Sequence, residues 1–184
     1  MQASATRPNV PTSTPPAEAA AAFRELHGPR LHGFALLFVL GDRAVAARLA
    51  ADAIAAGAPR AGELRHPERA AAWLRRRVME DAPRGRLDAS PSSLDELGLE
   101  RSAFAGLRAL RRRERAALIA DAVERLDRGD VGTIVGLDGA KLDRCLRAAR
   151  HRFVAAASAV PMVETDDAGP IVMRVHAIAS RAIA

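Results

Sequence analysis

Lys141, Arg144, Arg147 and Arg150 recur at three-residue steps, interleaved with Leu142, Leu146, Ala149 and Phe153. A helix with one buried face and cations on the remainder gives this pattern. Side chains of this kind suit an extended acidic partner. Lys and Arg hold phosphates through charge-assisted hydrogen bonds, and a guanidinium can also read a guanine edge with two parallel bonds. A merely solvated basic face is the alternative, and the residues just upstream weigh against it. Val131, Ile134 and Val135 form a short apolar helical face that Gly136 interrupts, since glycine takes a left-handed backbone without steric cost. Asp138 is expected to cap the next helix with its carboxylate. Residues 126–153 thus read as a helix-turn-helix, the shape that lays its second helix in the DNA major groove.

A second cationic run, Arg75-Arg76-Arg77, lies on an expected helix over 67–82 whose inward residues are Trp73, Leu74 and Val78. An acidic partner is one use of such a run. Glu80 and Asp81 follow at helical spacing, so intrahelical ion pairs are the competing use of this run. The five histidines show no metal-ligand spacing, and no nucleophile–base pair or phosphate-cradling glycine loop stands out. No metal, no cofactor and no enzymatic activity are expected. Cys145 falls beside Leu142 and Leu146, where half-buried packing is the expected role.

These residues need helices to position them, and the pattern supplies helices throughout. Residues 1–16 are Ser-, Thr-, Pro- and Ala-rich and read as a disordered tail. A helix starts near Ala17 and carries Phe23, Leu26 and Leu31, with Gly28-Pro29 marking a kink or a new start. Residues 32–40 are strongly apolar, Gly41-Asp42 is a stop and a cap, and residues 42–56 form a helix burying Val45, Leu49 and Ile54. Pro67 opens the helix that carries the arginine run, and Pro83 closes it. Residues 84–91 read as a linker. A second module then runs over 92–157, with Leu94, Leu97, Leu99, Phe104, Leu107 and Leu110, then a helix over 112–126 turning Ala116, Leu118, Ile119, Ala122 and Val123 inward. Residues 158–184 are an extension in which 171–179 fits a strand or a short amphipathic helix. The expected architecture is all-α, two small helical modules joined by a linker.

Composition agrees with an acidic partner. The formal net charge is +6, aromatic residues make up 3% and Tyr is absent. The single Cys excludes an internal disulfide framework and fits a reducing cytoplasm. No apolar run approaches the roughly 18 residues of a membrane span, so a soluble cytoplasmic protein is expected.

Two separated stretches carry a family likeness. One comprises Pro29-Arg30-Leu31-His32-Gly33-Phe34-Ala35-Leu36, Gly41-Asp42-Arg43-Ala44, His66-Pro67-Glu68-Arg69 and Ala72-Trp73-Leu74-Arg75-Arg76. The other is 126–153, with Leu126, Ile134, Gly136, Leu146, Ala149, Arg150 and Arg152 at matching positions. Over about residues 20–154 the chain resembles the small two-domain sigma factors of bacteria, the extracytoplasmic-function group of the sigma-70 family. The resemblance implies a region 2-like domain over 17–83 and a region 4-like helix-turn-helix domain over 92–157. It implies binding to core RNA polymerase through Arg48, Leu49 and Asp52, and to promoter DNA, so as to direct transcription initiation. Arg75 and Arg76 would lie toward the −10 element, while Lys141, Arg144, Arg147 and Arg150 would face the −35 element. An anti-sigma factor is the implied regulatory partner. This chain departs from the family pattern at Arg48, Ala51, Asp143 and Cys145. The second expectation is therefore a sigma-like protein–protein module, an anti-sigma decoy or partner-binding regulator without promoter activity.

Overall fold

The computed structural model describes residues 16–60, 66–84 and 101–160. The expected tail before Pro16, the linker over 85–91, Leu94, Leu97, Leu99 and the 171–179 segment lie outside the described residues. Every regular element among the described residues is helical: α1 (Pro16–Phe38), α2 (Arg43–Gly57), α3 (Pro67–Asp81), α4 (Arg101–Ala109), α5 (Arg112–Leu118), α6 (Arg128–Val135) and α7 (Gly139–Ser158). A 3-10 turn follows α2 at Ala58–Arg60, and a π turn follows α5 at Ile119–Val123.

Gly28-Pro29 neither ends α1 nor starts a new helix; α1 runs on for 23 residues with Pro29 inside it. An internal proline costs about 3 kcal/mol. Phe23, Leu31, Phe34 and Phe38 are buried along one stripe, and each large apolar side chain so placed returns about 1.5–3 kcal/mol. Burial wins. The helix ends on two left-handed residues, Leu40 (φ 58°) and Gly41 (φ 89°), with the Gly41 amide donating back to Leu36 O at 2.9 Å. A left-handed leucine costs about 1–2 kcal/mol, and burial of its side chain offsets that. Asp42 then caps α2, accepting from the Val45 amide at 3.0 Å. Val45, expected in the core, is half-buried; Ala46, Leu49, Ala50, Ala53 and Ile54 form the inner face.

The expected helix over 112–126 is shorter. Its α-helical part stops at Leu118 and widens into the π turn, leaving Ala122 and Val123 half-buried. The Glu124 and Leu126 amides donate to Ile119 O and Ala120 O, each at 3.0 Å, and Arg125 takes a positive φ of 56°. Local propensity gives no warning of this: alanine and leucine would continue an α-helix.

Two arginines of α5 gather the ends of three other helices. The last carbonyls of a helix have no partner within it, and the macrodipole makes that end attractive to a cation. Arg112 donates to Pro83 O at 2.8 Å and Ala82 O at 2.7 Å, and also to Met79 O, all at the end of α3. Arg115 donates to Phe38 O at the end of α1 (3.1 Å) and to Leu107 O (2.9 Å) and Leu110 O (3.1 Å) at the end of α4. Burial first, and Arg112 second, push the Arg115 guanidinium down to about 10, so it stays charged at neutral pH.

The buried cluster does not divide where the linker was expected. It runs from Phe23 and Phe34 through Leu74 and Ile119 to Leu146 and Phe153. α3 packs on α6, and α1 reaches the π turn. The two helical groups share one core.

Candidate nucleic-acid interface

α6 and α7 follow one another across a tight turn at Gly136. Asp127 caps α6 by accepting from the Asp130 amide at 2.8 Å. Val131, Ile134 and Val135 are buried as expected, and Gly136 terminates the helix in the left-handed region at φ 66°. The turn is tight enough to require a second glycine for a different reason. A Cβ on Gly132 would stand 2.6 Å from Leu137 O, a backbone contact that cannot yield. Asp138 sits at the N-cap of α7, but its carboxylate makes no capping hydrogen bond. Its backbone does the closing instead, the Leu142 amide donating to Asp138 O at 3.1 Å.

α7 buries Leu142, Leu146, Ala149 and Phe153. On the opposite side, Ala140, Arg144, Arg147 and His151 follow one another at helical spacing, and all four are exposed. Lys141 flanks this stripe on one side and Asp143 on the other. Neither Arg144, Arg147 nor Lys141 is ion-paired to a described residue. The other cations of the helix are engaged: Arg150 with Asp121 at 2.8 Å, and Arg152 with Glu114 at 3.0 Å. Asp143 pairs with Arg128, the first residue of α6. Cys145 is half-buried against the core; burial first, then Glu114, push its thiol up and away from thiolate chemistry.

The arginine run of α3 is used differently. Arg75 has a side chain only 4% exposed. Its Nε and Nη2 donate to the two carboxylate oxygens of Glu124, each at 2.5 Å, and its Nη1 donates to Ala71 O at 3.0 Å. Its guanidinium also lies over the Phe34 ring. No donor face remains for a phosphate, which corrects the expectation that Arg75 contacts DNA. Arg76 is exposed but paired with Glu80 at 2.8 Å, and Arg77 with Asp81 at 2.8 Å, the intrahelical alternative weighed above. Trp73 is half-buried, with the Arg60 guanidinium over its ring. Beside Arg75, His27 is buried against Phe23. Burial first, and the Arg75 charge second, hold its imidazole below the ordinary 6.5.

Of the expected polymerase contacts, Arg48 and Asp52 are exposed one turn apart on α2, whereas Leu49 points into the core. A buried leucine offers no surface to a partner, so Leu49 is corrected to a packing residue.

The residues that sequence reasoning overlooked are Glu124, Arg112, Arg115 and Arg128. Arg75 carried a usable signal, because Ala71, Arg75, Val78 and Ala82 share one helical register and a charge in a core register demands a partner. Nothing local pointed to Glu124 as that partner. Among the described residues, no group of three His, Cys, Asp or Glu side chains is placed to hold a metal. None of the described helices is long and apolar enough to cross a membrane. No protein-family model matches the chain, and neither a curated protein nor a solved structure was found to match it.

Proposed function

We propose that this chain is a sigma-like transcription regulator that binds duplex DNA through α7. One observation carries the reading. On the outward stripe of α7, Arg144 and Arg147, with Lys141 beside them, are exposed and have no acidic partner among the described residues, while Arg150 and Arg152 are neutralised within the fold. Cations left exposed on the second helix of a helix-turn-helix suit phosphate contact and guanine readout. In the fuller form of the reading, the protein joins core RNA polymerase through the α2 surface around Arg48 and Asp52 and directs initiation at a promoter. That part rests on the family resemblance.

Titration of the full chain with duplex DNA at rising salt tests the DNA reading. Affinity should fall log-linearly with salt, by about 0.9 per phosphate neutralised. Absence of binding at low salt would refute it. Retention of core polymerase at low salt tests the fuller form, and failure there would reduce the proposal to DNA binding alone.

A second reading has its own support. The Arg75–Glu124 pair joins α3 to the segment between α5 and α6, and the remaining α3 arginines are paired with Glu80 and Asp81. A sigma-like fold so arranged fits a regulator that binds a partner protein, such as an anti-sigma factor, without melting a promoter.

A further inference from the structure

α1 carries a second apolar stripe besides the one that faces the core. Ala22, Leu26, Pro29 and Gly33 follow one another at helical spacing, and all four are exposed. Leu26 is 61% exposed, the one large apolar side chain so placed among the described residues. Nothing stands within 4 Å of where a Cβ on Gly33 would point. A single exposed leucine needs no explanation, but a surface helix ordinarily makes its outer side polar, and a continuous stripe there marks a place where something docks. One edge of this stripe is acidic. Glu18 and Glu25, two helical turns apart, are exposed and have no ion-pair partner among the described residues.

The chain itself carries a matching text. α7 ends at Ser158, and the sequence continues to Ala184. After Pro170, a residue suited to a first helical turn, Ile171, Val175, Ile178 and Ala182 recur at helical spacing. Arg174 and Arg181 border that stripe with the same spacing as Glu18 and Glu25. A strand would instead mix Arg174 and His176 with Val172 and Ile178 on one face. The charged edges also agree in hand. Glu25 immediately precedes Leu26, and Arg174 immediately precedes Val175, so each charge lies on the same rotational side of its own stripe. Two such edges come together when the helices run antiparallel, and flanking charges of this kind set helix orientation. Residues 161–170 can span about 35 Å, against about 30 Å for the width of a small domain, so α1 is within reach.

We infer that residues 171–183 dock as an antiparallel amphipathic helix on the outward stripe of α1, with Arg174 and Arg181 facing the edge that holds Glu18 and Glu25. Apolar contact at Leu26 supplies the attraction, and the two charged edges fix the direction. While docked, the segment closes the stripe to any other partner.

Hydrogen exchange of the full chain, read on the amides of 171–183, is the test, with thermal melts confirming that each variant folds. In the unaltered chain those amides should exchange more slowly than in a free peptide of the same sequence. Leu26→Glu removes the apolar contact at an exposed site where Glu suits a helix, and should speed their exchange about tenfold. Glu18→Arg with Glu25→Arg should speed it as well, and adding Arg174→Glu with Arg181→Glu should restore protection. Exchange at the free-peptide rate in the unaltered chain, or protection that Leu26→Glu leaves intact, would overturn the docking. If Leu26→Glu abolishes protection but the charge exchange does not restore it, the antiparallel orientation falls. Protection that arises only as the mass in solution doubles would assign the stripe to a second copy. Protection that arises only on adding anionic phospholipid vesicles would assign the segment to a membrane surface. Either result overturns docking within the chain.

Discussion

α3 and α7 carry similar cationic text and put it to opposite uses. Arg75, Arg76 and Arg77 meet Glu124, Glu80 and Asp81 and stay inside the protein's own charge balance. Arg144 and Arg147 meet no carboxylate among the described residues and are exposed. The difference lies in what each helix packs against. α3 lies between α1, α2 and α6, so that a residue on its inner register, Arg75, has to find a buried partner. α7 is covered along one side by α4 and α5, and its far stripe is left over. A count of arginines is therefore a poor guide to a nucleic-acid surface; the count that matters excludes those already paired.

The strongest way to break this comparison is to remove Glu124. Glu124→Ala leaves Arg75 charged, enclosed and without its acceptor, and should cost about 3–5 kcal/mol in denaturant unfolding. A loss below about 1 kcal/mol, the range of an exposed pair, would show that the pair is not enclosed in solution. The next effect should appear on the other helix and in another assay. Arg144→Ala and Arg147→Ala should each reduce DNA affinity by about 1–3 kcal/mol for a base contact, and flatten its salt dependence for a phosphate contact, with stability unchanged. Arg76→Ala and Arg77→Ala should leave DNA affinity alone and shift stability by no more than about 0.5 kcal/mol. Equal losses of DNA affinity from both helices would erase the contrast.

A smaller, pH-dependent effect should trace to the α3 side. Because the folded His27 imidazole is held below its ordinary value of 6.5, the unfolded chain binds a proton that the folded one refuses. Its contribution to stability is complete above pH 6.5 and is lost progressively as pH falls below that value. His27→Phe should flatten this acid limb in unfolding measured across pH; an unchanged limb would assign it to the carboxylates. The smallest effect belongs to the turn that delivers Glu124 to Arg75. Arg125 holds φ at 56°, where glycine is at ease, so Arg125→Gly should be neutral or stabilising by up to about 1 kcal/mol. A clear loss in the same unfolding assay would show that the Arg125 side chain, rather than the backbone, holds the turn.

How far the sequence carried can be judged residue by residue. Leu142, Leu146, Ala149 and Phe153 declared the buried face of α7 because helical periodicity is a local, repeating signal. Gly136 declared the turn and Asp42 the cap of α2, since both act within three or four residues of themselves. Asp138 misled at the level of side-chain detail: the residue is at the N-cap, but its backbone carbonyl does the work. Leu49 and Arg75 misled more seriously. The resemblance gives both of them partners outside the chain, and both face inward.

By itself, then, the sequence determined the helices, most of their ends, the turn at Gly136 and the surplus of positive charge, all of them set by interactions a few residues long. Only the tertiary structure decided which charges were left over. Glu124 lies 49 residues from Arg75, and Phe38 lies 77 residues from Arg115; no local pattern encodes such a pairing. It arises when desolvated guanidinium groups are brought against the carboxylates and helix ends they need. What that pairing leaves exposed on α7 is the surface on which the functional reading rests.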